Sequence, residues 1–291
     1  MRQRALLLVN RHSRQGERYL NEAISYLQGH GFDLIEISTE HPQEIPEVIQ
    51  QYQYQIDMII IGGGDGTLNA AVDALVEAHL PLGILPLGTA NDLARTLGIP
   101  TSLPAACDVI ANGKIKQIDL GQVNGKHFFN VASLGLSVSI TQKLTKQAKS
   151  RWGIFAYLFT ALQVLWRSRT FTAEIHTNNT PIRVKTVQIA VGNGRYYGGG
   201  MAVVHDASID DQRLDLYSLE INHWWQMLPL LPAMRQGRHI YSQNVRAICS
   251  QEIYVYTRKP HPINTDGEIT TYTPAHFLVI PHALGVLVPS T

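Results

Sequence analysis

The fold class predicted for this chain of 291 residues is α/β, a mostly parallel sheet with helices, followed by a β-rich second domain. Three observations predict it. Short apolar runs alternate with helical periods through the first third of the chain. Beyond about Val123 that alternation gives way to strand runs with few helices between them. The length also exceeds the roughly 100 to 200 residues usual for one domain.

The elements can be taken in order. Ala5 to Val9 is an apolar strand run, and Glu17 to Leu27 sets Leu20, Ala23, Ile24 and Leu27 on one helical face. Leu34 to Ile37 is a second strand, Pro42 to Tyr52 a helix, and Met58 to Ile61 a third, β-branched strand. Leu68 to Ala78 reads as a helix and Leu82 to Leu85 as a fourth strand. The helix from about Ala90 stops at Gly98-Ile99-Pro100. Strands separated by helices imply a parallel sheet covered on both faces, whose ligands gather where strands turn into helices. Asn10, Thr39, the glycines after Ile61 and Gly88-Thr89 all fall at such ends. In the second half, Phe128 to Val131, Thr170 to His176, Val184 to Val191, Leu214 to Leu219 and Ile253 to Thr257 are strand runs. Two apolar helical segments lie among them, Gly153 to Leu165 and His223 to Met234. Each reads as a core helix, with a greasy acyl-chain mouth or a bilayer-facing patch as the alternative.

Composition excludes several classes. Lys plus Arg total 24 against 23 for Asp plus Glu, so no overall field holds nucleic acid or an anionic membrane, and any membrane contact must be local. Two cysteines, Cys107 and Cys249, stand far apart, and the opening Met-Arg-Gln-Arg is unlike a signal peptide; a reduced, cytoplasmic chain is expected. No transmembrane span is expected, because the longest charge-free apolar stretch, Trp152 to Trp166, falls short of the roughly 20 residues needed.

The most informative junction is Gly62-Gly63-Gly64-Asp65-Gly66-Thr67 directly after the third strand. Glycines let the backbone approach what a side chain would block, and exposed amides ahead of a helix suit a phosphate. Asp65 in their midst points to a cation between carboxylate and phosphate, and so to a nucleotide with magnesium more than bare phosphate; a tight strand-to-helix turn with no ligand is the plain alternative. Known alternatives are absent from the sequence: there is no Gly-x-x-x-x-Gly-Lys-Ser/Thr loop, no Gly-x-Gly-x-x-Gly after the first strand, no His-Glu-x-x-His, and Val131 replaces the leading glycine of a nucleophile elbow. Two acidic sites in the second half remain. Asp210-Asp211 opens a strand and could hold a hard cation with backbone carbonyls; Asp266-Gly267-Glu268 is a turn in which Glu268 could take a hydroxyl proton. A solvated turn is the plain alternative for both.

Gly63-Gly64-Asp65-Gly66-Thr67-Leu68-Asn69 followed by Pro86-Leu87-Gly88-Thr89-Ala90-Asn91-Asp92-Leu93-Ala94-Arg95 resembles the catalytic domain of the diacylglycerol kinase superfamily, particularly the bacterial soluble lipid kinases. The first run also occurs in NAD kinases and sphingosine kinases; the pair is specific. The resemblance continues through Asn130-Val131-Ala132-Ser133, Gly192-Asn193-Gly194-Arg195 with Gly198-Gly199-Gly200, and Asp266-Gly267-Glu268. It implies an NAD kinase/diacylglycerol kinase-like fold, with an α/β nucleotide-binding domain at 1–122 joined by 283–291 and a β-sandwich-like lipid domain at 123–282. It implies ATP contacts at Thr39, Gly63 to Asn69 and Thr89, with Asn10 alongside at the first strand end. Glu268 would be the proton acceptor assisted by Asp266, and magnesium would lie at the Asp211 carboxylate with main-chain oxygens of Ser208 and Arg213. Arg11 and Gln212 depart from the proline and glycine usual in the family. The implied partner is a lipid substrate at a membrane surface; neither the acceptor lipid nor the oligomeric state is legible.

Overall fold

In the computed structural model, residues 3–10, 16–147, 169–177 and 181–290 are described. Strands β1 (Arg4–Asn10), β2 (Asp33–Thr39), β3 (Met58–Gly63) and β4 (Leu82–Pro86) pair in parallel in the order β2-β1-β3-β4, and the register sets Asn10 beside Thr39. Helices α1 (Gly16–Gly29), α2 (Ile45–Tyr52), α3 (Asp65–Ala78), α4 (Asp92–Thr96) and α5 (Leu103–Asn112) accompany them. Leu6, Leu8, Ile59, Ile61, Ile84 and Leu85 are fully buried, as expected of strands covered on both faces.

The sheet does not end there. β5 (Lys114–Val123) pairs with β6 (Lys126–Phe128) and with the last strand, so ten strands form one sheet. A second, six-stranded antiparallel sheet contains β7 (Val131–Gly135), which leads into α6 (Leu136–Gln147). β8 (Phe171–His176) and β9 (Ile182–Thr186) extend the ten-stranded sheet, whereas β10 (Gln188–Gly192) returns to the six-stranded one. β11 (Tyr196–Tyr197) and β12 (Met201–Ala202) form a small hairpin. β13 (Leu214–Leu219) precedes a 3-10 turn at Trp224–Met227 and helix α7 (Leu230–Arg235). β14 (Val245–Ser250), β15 (Glu252–Thr257), β16 (Pro262–Thr265), β17 (Glu268–Tyr272) and β18 (Ala275–Val288) complete the chain. β18 lies antiparallel to β15 at its start and reaches β4 through Val286 opposite Leu82.

The two sheets face each other across Phe128, Leu134, Ile189, Leu216, Ile253 and Phe277, a sandwich core built from alternating residues of both. The outer face of the six-stranded sheet is covered by Met227, Leu230 and Met234 from the segment carrying α7. Three expectations change in detail. The run Phe128 to Val131 divides between β6 and β7, Val184 to Val191 divides at Val187 into β9 and β10, and the helix expected over His223 to Met234 is a 3-10 turn followed by a short α-helix. The apolar segment Gly153 to Leu165 lies outside the described residues.

Candidate active site

Turns from both halves of the chain meet around a cleft of about 280 Å³. Its lining includes Asp65 at the start of α3, Ala90 from the loop after β4, Asp92 at the start of α4, Asn130 and Ser133 around the start of β7, and Ile140 of α6. Tyr197, Gly198, Gly199 and Met201 come from the β11–β12 hairpin, and Asn264, Asp266 and Gly267 from the β16–β17 turn.

The glycine turn is shaped first by its neighbours. A Cβ on Gly88 would lie 2.5 Å from the Gly64 Cα, and one on Gly63 would lie 2.6 Å from the Thr67 side chain. Gly88 and Gly64 therefore let the β3–α3 and β4–α4 loops touch, backbone against backbone, while Gly63 makes room for the Thr67 side chain of its own turn. Gly66 differs, because its missing Cβ faces open space. Asn91, at φ 50°, fastens the second loop: its Oδ1 accepts from the Gly88 N–H at 3.0 Å and its Nδ2 donates to the Gly88 carbonyl at 3.1 Å. Asp65 joins the loops by accepting the Leu93 N–H at 3.1 Å.

Two bonds close the cleft from the other side. Asn69 of α3 donates to the Thr265 carbonyl at 3.3 Å, and Asp92 accepts the Gly199 N–H at 2.8 Å. Asp266, itself at φ 47°, accepts three backbone N–H groups, from Phe129 at 2.7 Å and from Asn130 and Val131 at 3.0 Å each. That clamp explains why the strand run breaks at residues 129 and 130: their amides serve a carboxylate instead of a ladder.

Charge is concentrated here. Burial pushes the Asp266 carboxyl up to about 6, with the nearby Asp65 charge adding to the rise and the three amides opposing it. Burial likewise raises Asp92, against the Gly199 amide and with Asp65 again adding. Several buried atoms have no partner: Asn69 Oδ1, Asp92 Oδ1, Asn130 Oδ1, Asn264 Nδ2 and, at the end of β2, Thr39 Oγ1. Unpaired polar atoms in such number are costly unless a ligand or water meets them.

The expected site residues are distributed as follows. Asn10 and Thr39 sit side by side at adjacent strand ends, while Gly63, Gly64, Asp65, Gly66, Thr67, Leu68 and Asn69 form the turn and first helical residues of α3. Thr89 is exposed in the loop after β4. Asp266 lines the cleft; Glu268, two residues on, is exposed at the start of β17 and is not among the lining residues. Ser208, Asp211 and Arg213 lie together but apart from the cleft lining, in the loop before β13. There the Arg213 Nε is 3.0 Å from Asp211 Oδ2, which also accepts the Ser208 N–H at 3.4 Å, and Gln212 takes the left-handed conformation at φ 58°. Asp211 is raised by burial against the pull of that guanidinium. Arg213 is shared with two further carboxylates, Asp206 at 3.6 Å and Asp215 at 3.7 Å. Among the described residues no three His, Cys, Asp or Glu side chains are grouped to hold a metal. Asp92, Asn130, Asn264 and Tyr197 were given no role on sequence grounds, although all four lie in or beside the runs that carry the resemblance.

Residues 4–123 match the diacylglycerol kinase catalytic domain, and residues 130–288 match the YegS C-terminal NAD kinase beta sandwich-like domain. The chain belongs to the diacylglycerol kinase-type lipid kinase family. It is accordingly a phosphotransferase with an alcohol group as acceptor. It is 27% identical to the diacylglycerol kinase of Staphylococcus saprophyticus subsp. saprophyticus, over 100% of this chain and 97% of that protein. It is 32% identical to the "probable lipid kinase YegS-like" of Enterobacter sp. (strain 638), over 98% of this chain and 96% of the relative. The crystal structure of a diacylglycerol kinase from Bacillus anthracis str. Sterne superposes with a TM-score of 0.77 at 23% identity, covering 98% of this chain and 97% of the other, which shows the shared fold.

Proposed function

We propose that the protein is an ATP-dependent lipid kinase that moves the γ-phosphoryl group onto a hydroxyl of a diacylglycerol- or phosphatidylglycerol-like lipid. One observation carries this reading: the glycine turn at Asp65 and the acidic turn at Asp266, 201 residues apart in sequence, line the same cleft. The open side of Gly66, the unpartnered Thr39 hydroxyl and the buried Asn69 Oδ1 suit a nucleotide along the β2 and β3 ends. Magnesium arriving with that nucleotide would neutralise phosphate charge, and Asp65 is the carboxylate of the glycine turn placed to face it. No step is assigned to a metal at Asp211.

The acceptor oxygen forms a bond to the γ-phosphorus as the bond to the leaving diphosphate oxygen breaks. The hydroxyl proton passes to Glu268, which is exposed and follows the cleft-lining Gly267 in the chain. Asp266 holds residues 129–131 in place, so it positions the wall against which the acceptor lies. Positioning and fixed charge supply most of the rate in such transfers. A cytoplasmic protein working peripherally at a membrane surface is the setting this chemistry requires. Glu268→Gln is expected to lower kcat by about 100-fold or more with KM little changed. A loss confined to KM would instead make Glu268 a substrate-positioning group.

A further inference from the structure

The segment Asn222–Asn244 is apolar on both of its faces. Met227, Leu230 and Met234 point inward and share one core with Tyr197 and Val203. Trp225, Leu228 and Leu231, spaced three apart, point outward and are 52%, 46% and 46% exposed. A helical segment that is greasy all round is normally buried on every side, yet this outer face is covered by nothing among the described residues. The Trp225 ring is held flat against His223 at 4.2 Å and edge-on to Trp224, so it is a fixed surface feature.

Two further facts say what covers it. No Asp or Glu occurs from residue 222 to residue 244, while Arg235 and Arg238 are both exposed at the far end of the ridge. In a chain of formal net charge +1 this is a local cationic patch beside an apolar one. Trp and Leu flanked by Arg is the chemistry of a segment lying in the headgroup region of an anionic bilayer. The ridge is also next to the cleft: α7 packs on β12, and Met201 of β12 lines the cleft. A bilayer meeting Trp225, Leu228 and Leu231 would lie against the same hairpin that walls the acceptor site.

We infer that the Trp225–Leu231 ridge, with Arg235 and Arg238, docks the protein on the surface of an anionic lipid bilayer and presents the cleft to it. The inference rests on the lipid-kinase reading for its purpose and on the surface itself for its evidence, so the two can be tested apart. Binding to large unilamellar vesicles of phosphatidylcholine, with and without 30% phosphatidylglycerol (on the order of a physiological anionic fraction), is measured by sedimentation and tryptophan fluorescence. Turnover of a short-chain, water-dispersed diacylglycerol is measured alongside. Wild type should bind the anionic vesicles with a blue shift and bind the neutral ones about 10-fold more weakly. Trp225→Ser/Leu228→Ser/Leu231→Ser should lose vesicle binding by about 10-fold or more and keep short-chain turnover within about 2-fold. Arg235→Glu/Arg238→Glu should erase the preference for anionic vesicles. Equal binding by wild type and the triple variant overturns the proposal. So does absence of wild-type binding, or a triple variant that changes only the oligomeric state in sedimentation velocity, which would make the ridge a contact between copies. Vesicle binding without turnover of any lipid would leave the docking surface standing and remove the kinase reading.

Discussion

Asp266 concentrates the site's chemistry into one side chain. Its carboxylate receives three amides and yet is held up at about 6, because burial outweighs the hydrogen bonds and Asp65 is close. A folded value above the unfolded one means the native state binds the extra proton, so this contribution to stability is present below about pH 4 and fades as pH rises through about 6. In Asp266→Asn that slope should vanish, which urea unfolding at several pH values would show. The same substitution offers an NH2 where amide protons point, leaving donors unpaired at a cost of about 1–3 kcal/mol. Unchanged stability would refute the clamp. Asp266 and Glu268 were visible in the sequence as a turn with two carboxylates, but the clamp on residues 129–131 was not, since nothing in the local pattern marks a partner more than a hundred residues away.

Among elements, the paired loops after β3 and β4 decide whether the cleft exists. Gly88→Ala would force its Cβ against the Gly64 backbone, where no flexible side chain can yield, and is expected to cost about 1–3 kcal/mol and weaken ATP binding. Gly66→Ala meets nothing within 4 Å and should leave folding untouched, while lowering ATP affinity if phosphate occupies that open side. Thermal unfolding and calorimetric ATP titration on the two variants separate the roles; equal stability of both would contradict the loop contact. The parallel strands and the turn glycines were legible because periodicity and glycine runs are local signals. The break at Val187 was not. It carries no glycine, proline or other turn residue, only the buried polar pair Thr186 and Gln188 on either side, and the chain there steps from one sheet to the other, with the Thr186 hydroxyl 2.8 Å from both the Leu219 and the Gln188 carbonyl and donating to one of them. A strand changing sheets keeps the same alternation on both sides of the step. Helix α6 likewise follows β7 without an intervening loop.

Across the whole molecule, the sandwich half contributes stability through a core that includes one costly residue. His239 is fully buried, both ring nitrogens lack partners, and its ring meets Tyr217 edge-on at 4.7 Å. Burial lowers it to about 4. The unfolded chain therefore binds a proton that the native state refuses, so stability falls as pH drops from about 6.5 to about 4, by up to about 3 kcal/mol. His239→Phe should flatten that acid limb relative to wild type, opposite in sign to the Asp266 effect; an unchanged limb would place the acid sensitivity elsewhere. At this scale the two-part pattern of the chain was readable from the change in strand spacing near Val123. The ten-stranded sheet shared by both halves was not, because β18 pairs with β15, β5 and β4 along its 14 residues, and the sequence reading joined only its end, from residue 283, to the first domain.

The central claim is that the cleft between the glycine turn and the Asp266 turn passes phosphate from ATP to a lipid. Incubation with γ-labelled ATP, magnesium and diacylglycerol or phosphatidylglycerol in mixed micelles, followed by solvent extraction, tests it most directly. Label is predicted in the organic phase with wild type and absent with Asp65→Asn of unchanged fold. Label that stays in the aqueous phase as a phosphorylated soluble acceptor, or equal transfer by Asp65→Asn, would contradict it.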